Sequence, residues 1–412
     1  MARVAPFQPY RYAPSAGPLA SLVTQPYDKI SPAMQQGYLA ANPYNLVRVI
    51  LGEKYATDSP TDNPYTRAAK FMKDWSAAGL LVREEAPAIY PYFQTFKDPD
   101  TGESQTRRGF IALGALEPYE AGIVHRHELT LSGPKKDRLE LLRATRAHFG
   151  QIFMLYSDAE RAIDAILDAA ALKPPISAVT DEYGVAHELW RITSAPQITR
   201  IQELMAPRPL VIADGHHRYE TALAYQQESG VDHVMMTFVN THAPGLRILA
   251  THRLLRNLPE FSSGCLTKAL ASAGDVEPVV NDAEVKAKLT ALPEGQIAIG
   301  VIANGLSAIV HAPKAIANTV RLDVDYLHGH LLRALGIEEA AVRDQRNLEY
   351  IRGSDNAIAE VRNGNAQAAF LLNPAPIEEV MEISLSGGVM PQKSTDFYPK
   401  LLTGLTIWKV DE

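Results

Sequence analysis

One cysteine in 412 residues, Cys265, excludes an internal disulfide and a cysteine-built zinc site, and it predicts a reducing compartment. Basic charge is also scarce: 40 Lys and Arg face 47 Asp and Glu, a net charge of −7, which argues against a surface built chiefly to hold nucleic acid or anionic lipid. No helix-turn-helix pattern offers a groove-reading element. No apolar run approaches the roughly 18 residues needed to span a bilayer. The start, MARVAPFQPYRYAPSAG, lacks the hydrophobic stretch of a signal peptide. A soluble cytoplasmic protein is expected. What is present is enough apolar material, 46% hydrophobic against 21% charged, for two or three packed cores.

The first 45 residues carry Pro6, Pro9, Pro26, Pro32 and Pro43, which favours extended segments over long helices. From Arg67 the positions Ala68, Phe71, Met72 and Trp75 keep helical spacing up to Gly79. AIYPYFQTF and RRGFIALGAL, joined by KDPDTGESQT, predict a hairpin with a long loop. A helical pattern from Asp137 to Phe149 leads into the strand QIFMLYSD, after which Ser157 or Asp158 is expected to cap ERAIDAILDAA. PLVIAD, RYETALAYQQ and DHVMMTFVN then read as strand, helix and strand, the order of a mixed α/β domain. Beyond Leu258, alanine-rich helices alternate with modest strands, and Asn304-Gly305 between two apolar runs predicts a tight hairpin. The domains expected are residues 1–119 (proline-rich arm and hairpin), 120–258 (a central phosphate-binding module) and 259–412 (a C-terminal α+β region).

Chemistry concentrates at Asp214-Gly215-His216-His217-Arg218, between the strand PLVIAD and the helix that follows. A helix start exposes N–H groups and partial positive charge, Gly215 permits close approach, and His216, His217 and Arg218 add donors for phosphate oxygens. Asp214, at the strand end, is a candidate for holding Mg²⁺, orienting a hydroxyl or capping the helix. A second cluster, His125-Arg126-His127-Glu128-Leu129-Thr130 with Lys135, Lys136, Arg138, Arg143 and Arg146, reverses the local charge. Lys135 and Arg138 near a helix start oppose its dipole unless an anion is close, and His127 and Glu128 are acid–base candidates. A third, Gln25-Pro26-Tyr27-Asp28-Lys29, offers Asp28 from the N-terminal arm. A fourth, Lys393-Ser394-Thr395 behind Gly387-Gly388, lacks the Walker pattern because Gln392 precedes the lysine. One of Asp323 and Asp325 is read as a helix N-cap in preference to metal ligation by the pair.

IADGHHRYETAL resembles the nucleotide-phosphate motif of the ParB/sulfiredoxin-like superfamily, in which a Gly-x-x-Arg turn opens a helix, and the superfamily's free-serine kinases carry a similar Asp-Gly-His-x-Arg. The resemblance implies that Gly215, His216, His217 and Arg218 cradle nucleotide phosphates. With QPYDKIS, NPYN, HRHELT, THR at Thr251 to Arg253 and MPQKSTDFYPKLLTGL, the whole chain resembles the domain-of-unknown-function family 1015, a name that supplies no reaction. The fold expected is mixed α/β (α+β), a ParB/sulfiredoxin-like module with flanking regions.

The function expected is nucleotide-dependent phosphoryl transfer to a small hydroxyl compound such as serine, with ATP or ADP and Mg²⁺. Asp28, Glu128 and Asp214 are the catalytic candidates, and His127, Lys135, Arg138, Lys393, Ser394 and Thr395 supply a substrate or second anion site. The alternatives are a nucleotide-sensing regulator or scaffold, which shares the turn without turnover, and a phosphate-ester hydrolase, which needs no nucleotide.

Overall fold

A computed structural model describes residues 1–128, 133–293 and 296–410. The chain packs as two units, residues 1–246 with 399–412, and residues 247–398 inserted between them. This division does not coincide with the boundaries expected at 119/120 and 258/259. The predicted hairpin is not a flanking region, because its strands lie in the same sheet as PLVIAD. The final residues return to the first unit.

The first unit holds a nine-stranded mixed sheet. Its strands are β1 (Val4–Ala5), β2 (Tyr90–Lys97), β3 (Ser104–Ala115), β4 (Val124–His125), β5 (Ile152–Tyr156), β6 (Ser177–Thr180), β7 (Ala186–Leu189), β8 (Leu210–Asp214) and β9 (His233–Asn240). The order is β4-β8-β5-β9-β3-β2-β7-β6, with β1 added on β3. β8 runs parallel to β4 and antiparallel to β5, and β9 runs parallel to β5. Every residue of β5 is buried, as expected of a central strand covered on both faces.

The helices that cover this sheet or precede it are α1 (Pro64–Ala77), α2 (Gly133–Thr145), α3 (Ala162–Ala170), α4 (Ala195–Met205) and α5 (His216–Ser229). α1 begins earlier than its apolar spacing implied, because the Asn63 side chain accepts from Tyr65 and Thr66 N–H in a capping box with Pro64 in the first turn. It buries Ala68, Met72 and Trp75 in a cluster with Leu141, Phe149 and Ile407. α3 and α4 bring Ile163, Leu167, Ile198, Ile201 and Met205 into the larger cluster with Phe110, Met154 and Phe238. The cap expected of Asp158 is displaced: Arg161, at φ 55, holds the position before α3. Asp158 Oδ2 still accepts from Ile163 N–H at 3.2 Å, and its Oδ1 pairs with Arg208 at 2.8 Å.

The second unit adds β10 (Thr251–Leu255), β11 (Asp275–Pro278), β12 (Ala298–Ala303), β13 (Leu306–His311), β14 (Leu348–Arg352) and β15 (Ala368–Leu371), with helices α6 (Ser263–Ala273), α7 (Asp282–Thr290) and α8 (Ser354–Arg362). The sheet order is β11-β13-β12-β15-β10-β14. Asn304-Gly305 forms the expected two-residue turn, with Ala303 opposite Leu306 and Gly305 at φ 72. The capping expected of Asp323 or Asp325 is overturned: Leu322 holds the position before the helix Asp323–Tyr326, and no described side chain caps it. Asp323 is engaged elsewhere. Its oxygens accept from Ala298 N–H at 3.3 Å and Asn373 N–H at 3.0 Å, so it ties a strand to a loop, and burial raises its pKa to about 6. No helix among the described residues is long and apolar enough to cross a membrane.

Candidate functional site

β8 delivers Asp214-Gly215-His216-His217-Arg218 directly into α5. Its pairing with β5 slips by one residue between Ile212 and Asp214, a bulge that re-aims the strand end. Gly215 then adopts φ 97 and ψ 25, left-handed geometry that a residue bearing a Cβ resists. No described side chain caps the start of α5, so the amides of its first turn are available to a ligand.

Arg218 folds back over this turn. Its Nη2 donates to Asp214 Oδ2 at 2.6 Å and its Nη1 to the Gln151 carbonyl at 2.5 Å. Lys400 Nζ stands 3.4 Å from the other Asp214 oxygen. Burial works to raise the Asp214 pKa, but Lys400, Arg218 and Lys29 prevail and hold the carboxyl well below its ordinary range. Asp214 therefore does not fit the Mg²⁺ role expected of it, because both oxygens face cations that would repel the ion.

Lys400 is placed by buried polar groups of β2 and β3. Arg107 Nη2 donates to the Pro399 carbonyl at 2.5 Å, Gln94 Nε2 to the Lys400 carbonyl at 2.9 Å, and Leu402 N–H to the Tyr92 hydroxyl at 3.2 Å. Behind them Tyr92 bonds His187 Nδ1 at 2.7 Å, and His187 Nε2 lies 3.2 Å from Asp181, which also accepts from Gln25 at 3.0 Å. Burial pulls Arg107 down to about 10, so it keeps its charge at neutral pH.

The second sequence cluster meets the first. His127 follows β4, the parallel neighbour of β8, and its Nδ1 lies 2.7 Å from the Ile212 carbonyl. A carbonyl only accepts, so Nδ1 carries a proton. The His127 and His216 rings meet edge to face at 4.6 Å between centroids. One donor atom each of His127, Glu128 and His216 lies within 4.8 Å of the others. Burial lowers the pKa of His127, and that of His216 much further, with the His127 ring adding to the effect. His217 is also lowered by burial, against the opposing charges of Glu220, Glu128 and Asp28. His216 Nε2 and His217 Nδ1 are buried without a hydrogen-bond partner among the described residues.

Other expected residues are differently engaged. Lys135 pairs with Glu220 of α5. Arg138 pairs with Asp137, donates to the Ile50 carbonyl at 2.7 Å and stacks over Tyr27 at 4.2 Å, so it ties the N-terminal arm to α2. Asp28 is exposed on the short turn Tyr27–Lys29. Lys393, Ser394 and Thr395 belong to the second unit. There the Lys393 carbonyl accepts from Arg253 at 3.1 Å and Ser394 donates to the Pro391 carbonyl at 2.5 Å, and Ser394 lines a cavity of about 500 Å³ with Arg253 and Asp323. Leu129 and Thr130 of the second cluster lie outside the described residues. Arg218 lines a cavity of about 70 Å³ with Tyr27, Arg138 and Phe149, room for a few waters.

Sequence reading gave Lys400, in the stretch MPQKSTDFYPKLLTGL, no place beside Asp214, and missed the meeting of His127 with His216. His127 bonds a carbonyl 85 residues away, a pairing that no local spacing announces.

Fold and site define a mixed α/β protein with a polar strand–turn–helix corner built from several distant stretches of chain. The chain belongs to the family described as "Protein of unknown function (DUF1015)", which matches residues 4–325. A search of curated proteins finds no match. Among solved structures the chain is similar to a conserved hypothetical protein from Pyrococcus furiosus, at 13% identity and a TM-score of 0.38 over 70% of this chain and 93% of that chain. It is also similar to a free serine kinase in complex with AMP, at 14% identity and a TM-score of 0.37 over 69% of this chain and 89% of that chain. SbnI with C-terminal truncation from Staphylococcus aureus gives 9% and 0.39 over 72% and 87%.

Proposed function

We propose that the protein is a nucleotide-dependent phosphotransferase acting on a small hydroxyl compound, serine being the first to test, through a ParB/sulfiredoxin-like turn at Gly215-His216-His217-Arg218. The observation that carries this reading is the start of α5: a left-handed glycine, no side-chain cap among the described residues, and Lys29, Arg218 and Lys400 close enough to dominate the charge on Asp214. Dipole, amides and cations all favour a polyanion there. Arg218 serves first as a brace for the turn, through Asp214 and the Gln151 carbonyl, so the amides of His216 and His217 meet the phosphates. Asp28 and Glu128, both within electrostatic reach of His217, are the carboxylates that orient or deprotonate the acceptor. No Mg²⁺ is assigned to Asp214, and no step depends on it. Phosphoryl transfer asks chiefly for alignment and charge stabilisation, which such a corner supplies.

A thermal-shift panel of adenine, cytidine and guanine nucleotides, with and without Mg²⁺, tests the binding half. Ligand at about 100 times its Kd stabilises by roughly 2.7 kcal/mol, and Arg218→Ala should abolish the shift. Turnover with serine and related alcohols, followed by phosphorus NMR, tests the second half: Asp28→Ala or Glu128→Ala should lose transfer and keep binding. A wild type that no nucleotide shifts ends this proposal. Binding without transfer identifies a sensor, and release of phosphate from an ester without nucleotide identifies a hydrolase.

A further inference from the structure

We propose that His127, Glu128 and His216 form a binding site for a divalent transition-metal ion of the zinc class, with one coordination position left to water or to an anionic oxygen of a ligand. The inference goes beyond the nucleotide reading and stands without it. Its basis is the donor set. Two imidazoles and a carboxylate present donor atoms within 4.8 Å of one another, and nitrogen-rich sets of this kind suit zinc, cobalt or iron(II) better than the hard ions Mg²⁺ and Ca²⁺. Bonds of about 2.0–2.2 Å to a tetrahedral ion place donor atoms closer together than the 4.8 Å limit that contains this triad.

Three further features fit a ligand set better than a packed core. His127 gives its Nδ1–H to the Ile212 carbonyl at 2.7 Å, the kind of outer bond by which metal-bound histidines are ordinarily oriented. His216 is only 8% exposed, yet its Nε2 has no partner among the described residues. An unsatisfied buried nitrogen costs about 1–3 kcal/mol, a cost that a bound ion removes. The scaffold is stiff where it matters, because His127 follows a strand paired with β8 and His216 opens the helix that β8 feeds. Three protein donors with an open position are the pattern of catalytic metal sites, whereas structural sites are closed by four.

The test uses the full-length protein stripped with a chelator and titrated with Co²⁺ and Zn²⁺, followed by visible absorption and by calorimetry. The wild type should bind one equivalent and give the intense bands of low-symmetry Co²⁺. His127→Ala, His216→Ala and Glu128→Gln should each weaken binding by ~10-fold or more, while His233→Ala, paired with Asp232 on another surface, should bind as the wild type does. Circular dichroism establishes which variants keep the fold. Glu128→Gln preserves size and shape, so it carries the test if a histidine variant unfolds. A wild type that binds no Co²⁺, or ligand variants that keep the fold and bind with wild-type affinity, overturns the proposal. Nucleotide shifts measured in chelator report on the phosphotransferase reading alone, so the two can fail separately.

Discussion

Gly215 shows how much one residue can set. At φ 97 it sits where an L side chain is strained, and a Cβ would lie 3.0 Å from the Arg218 Nε and Nη2 atoms. Gly215→Ala should therefore cost about 1–2 kcal/mol from backbone strain, measured by urea unfolding. It should also push the Arg218 guanidinium off Asp214 and weaken any anion bound at the turn. A variant as stable as the wild type would show that the corner relaxes freely. The residue type was legible in sequence, since a glycine between a buried strand and a helix invites such a reading. Arg218's engagement was not: the arginine that the motif offers to a ligand is tied to Asp214 and to Gln151, a partner set by the neighbouring strand.

At the scale of elements, the hairpin β2–β3 was readable from its two apolar runs and turn-forming loop, and α1 from its spacing. Their partners were not. β3 lies against β9 through Gly109, where a Cβ would stand 2.7 Å from the Phe238 carbonyl oxygen and 2.8 Å from Val239 Cγ2. That close approach explains a glycine in a central strand. Gly109→Ala should destabilise the protein by about 1–3 kcal/mol, because it must wedge paired backbones apart. Gly37→Ala makes the contrast. That glycine lies within the helix Pro32–Ala41 with nothing within 4 Å of its added Cβ, so alanine should stabilise by about 0.5–1 kcal/mol. Chemical denaturation of the two variants side by side should give shifts of opposite sign.

At the scale of the molecule, buried histidines make stability depend on pH. His252, on β10, is 5% exposed and its Nδ1 accepts from Leu372 N–H at 3.2 Å. Burial, helped by Arg253, lowers its pKa to about 4. Above about pH 6.5, the ordinary histidine value, it is neutral in folded and unfolded chains alike and contributes no pH dependence. Below that, the unfolded chain takes up a proton that the folded one refuses, so stability falls until about pH 4, by roughly 3 kcal/mol for this group. His252→Leu orphans the Leu372 N–H at every pH but should flatten this part of the profile. Unfolding free energies of both proteins between pH 7.5 and 4.5 read the difference, and parallel profiles would remove His252 as its source.

The amino-acid sequence by itself determined the local elements and the composition of the corner, because helix spacing, turn chemistry and a strand–glycine–helix junction are properties of neighbouring residues. Membership of two units was decided only in three dimensions, since residues 399–412 return to the first unit across an insertion of 247–398. So was the site's second half. Pairing of β4 with β8 carries His127 onto His216, and buried groups of β2 and β3 hold Lys400 beside Asp214. Those juxtapositions follow from which strands lie side by side, a choice made by burial summed over the whole sheet.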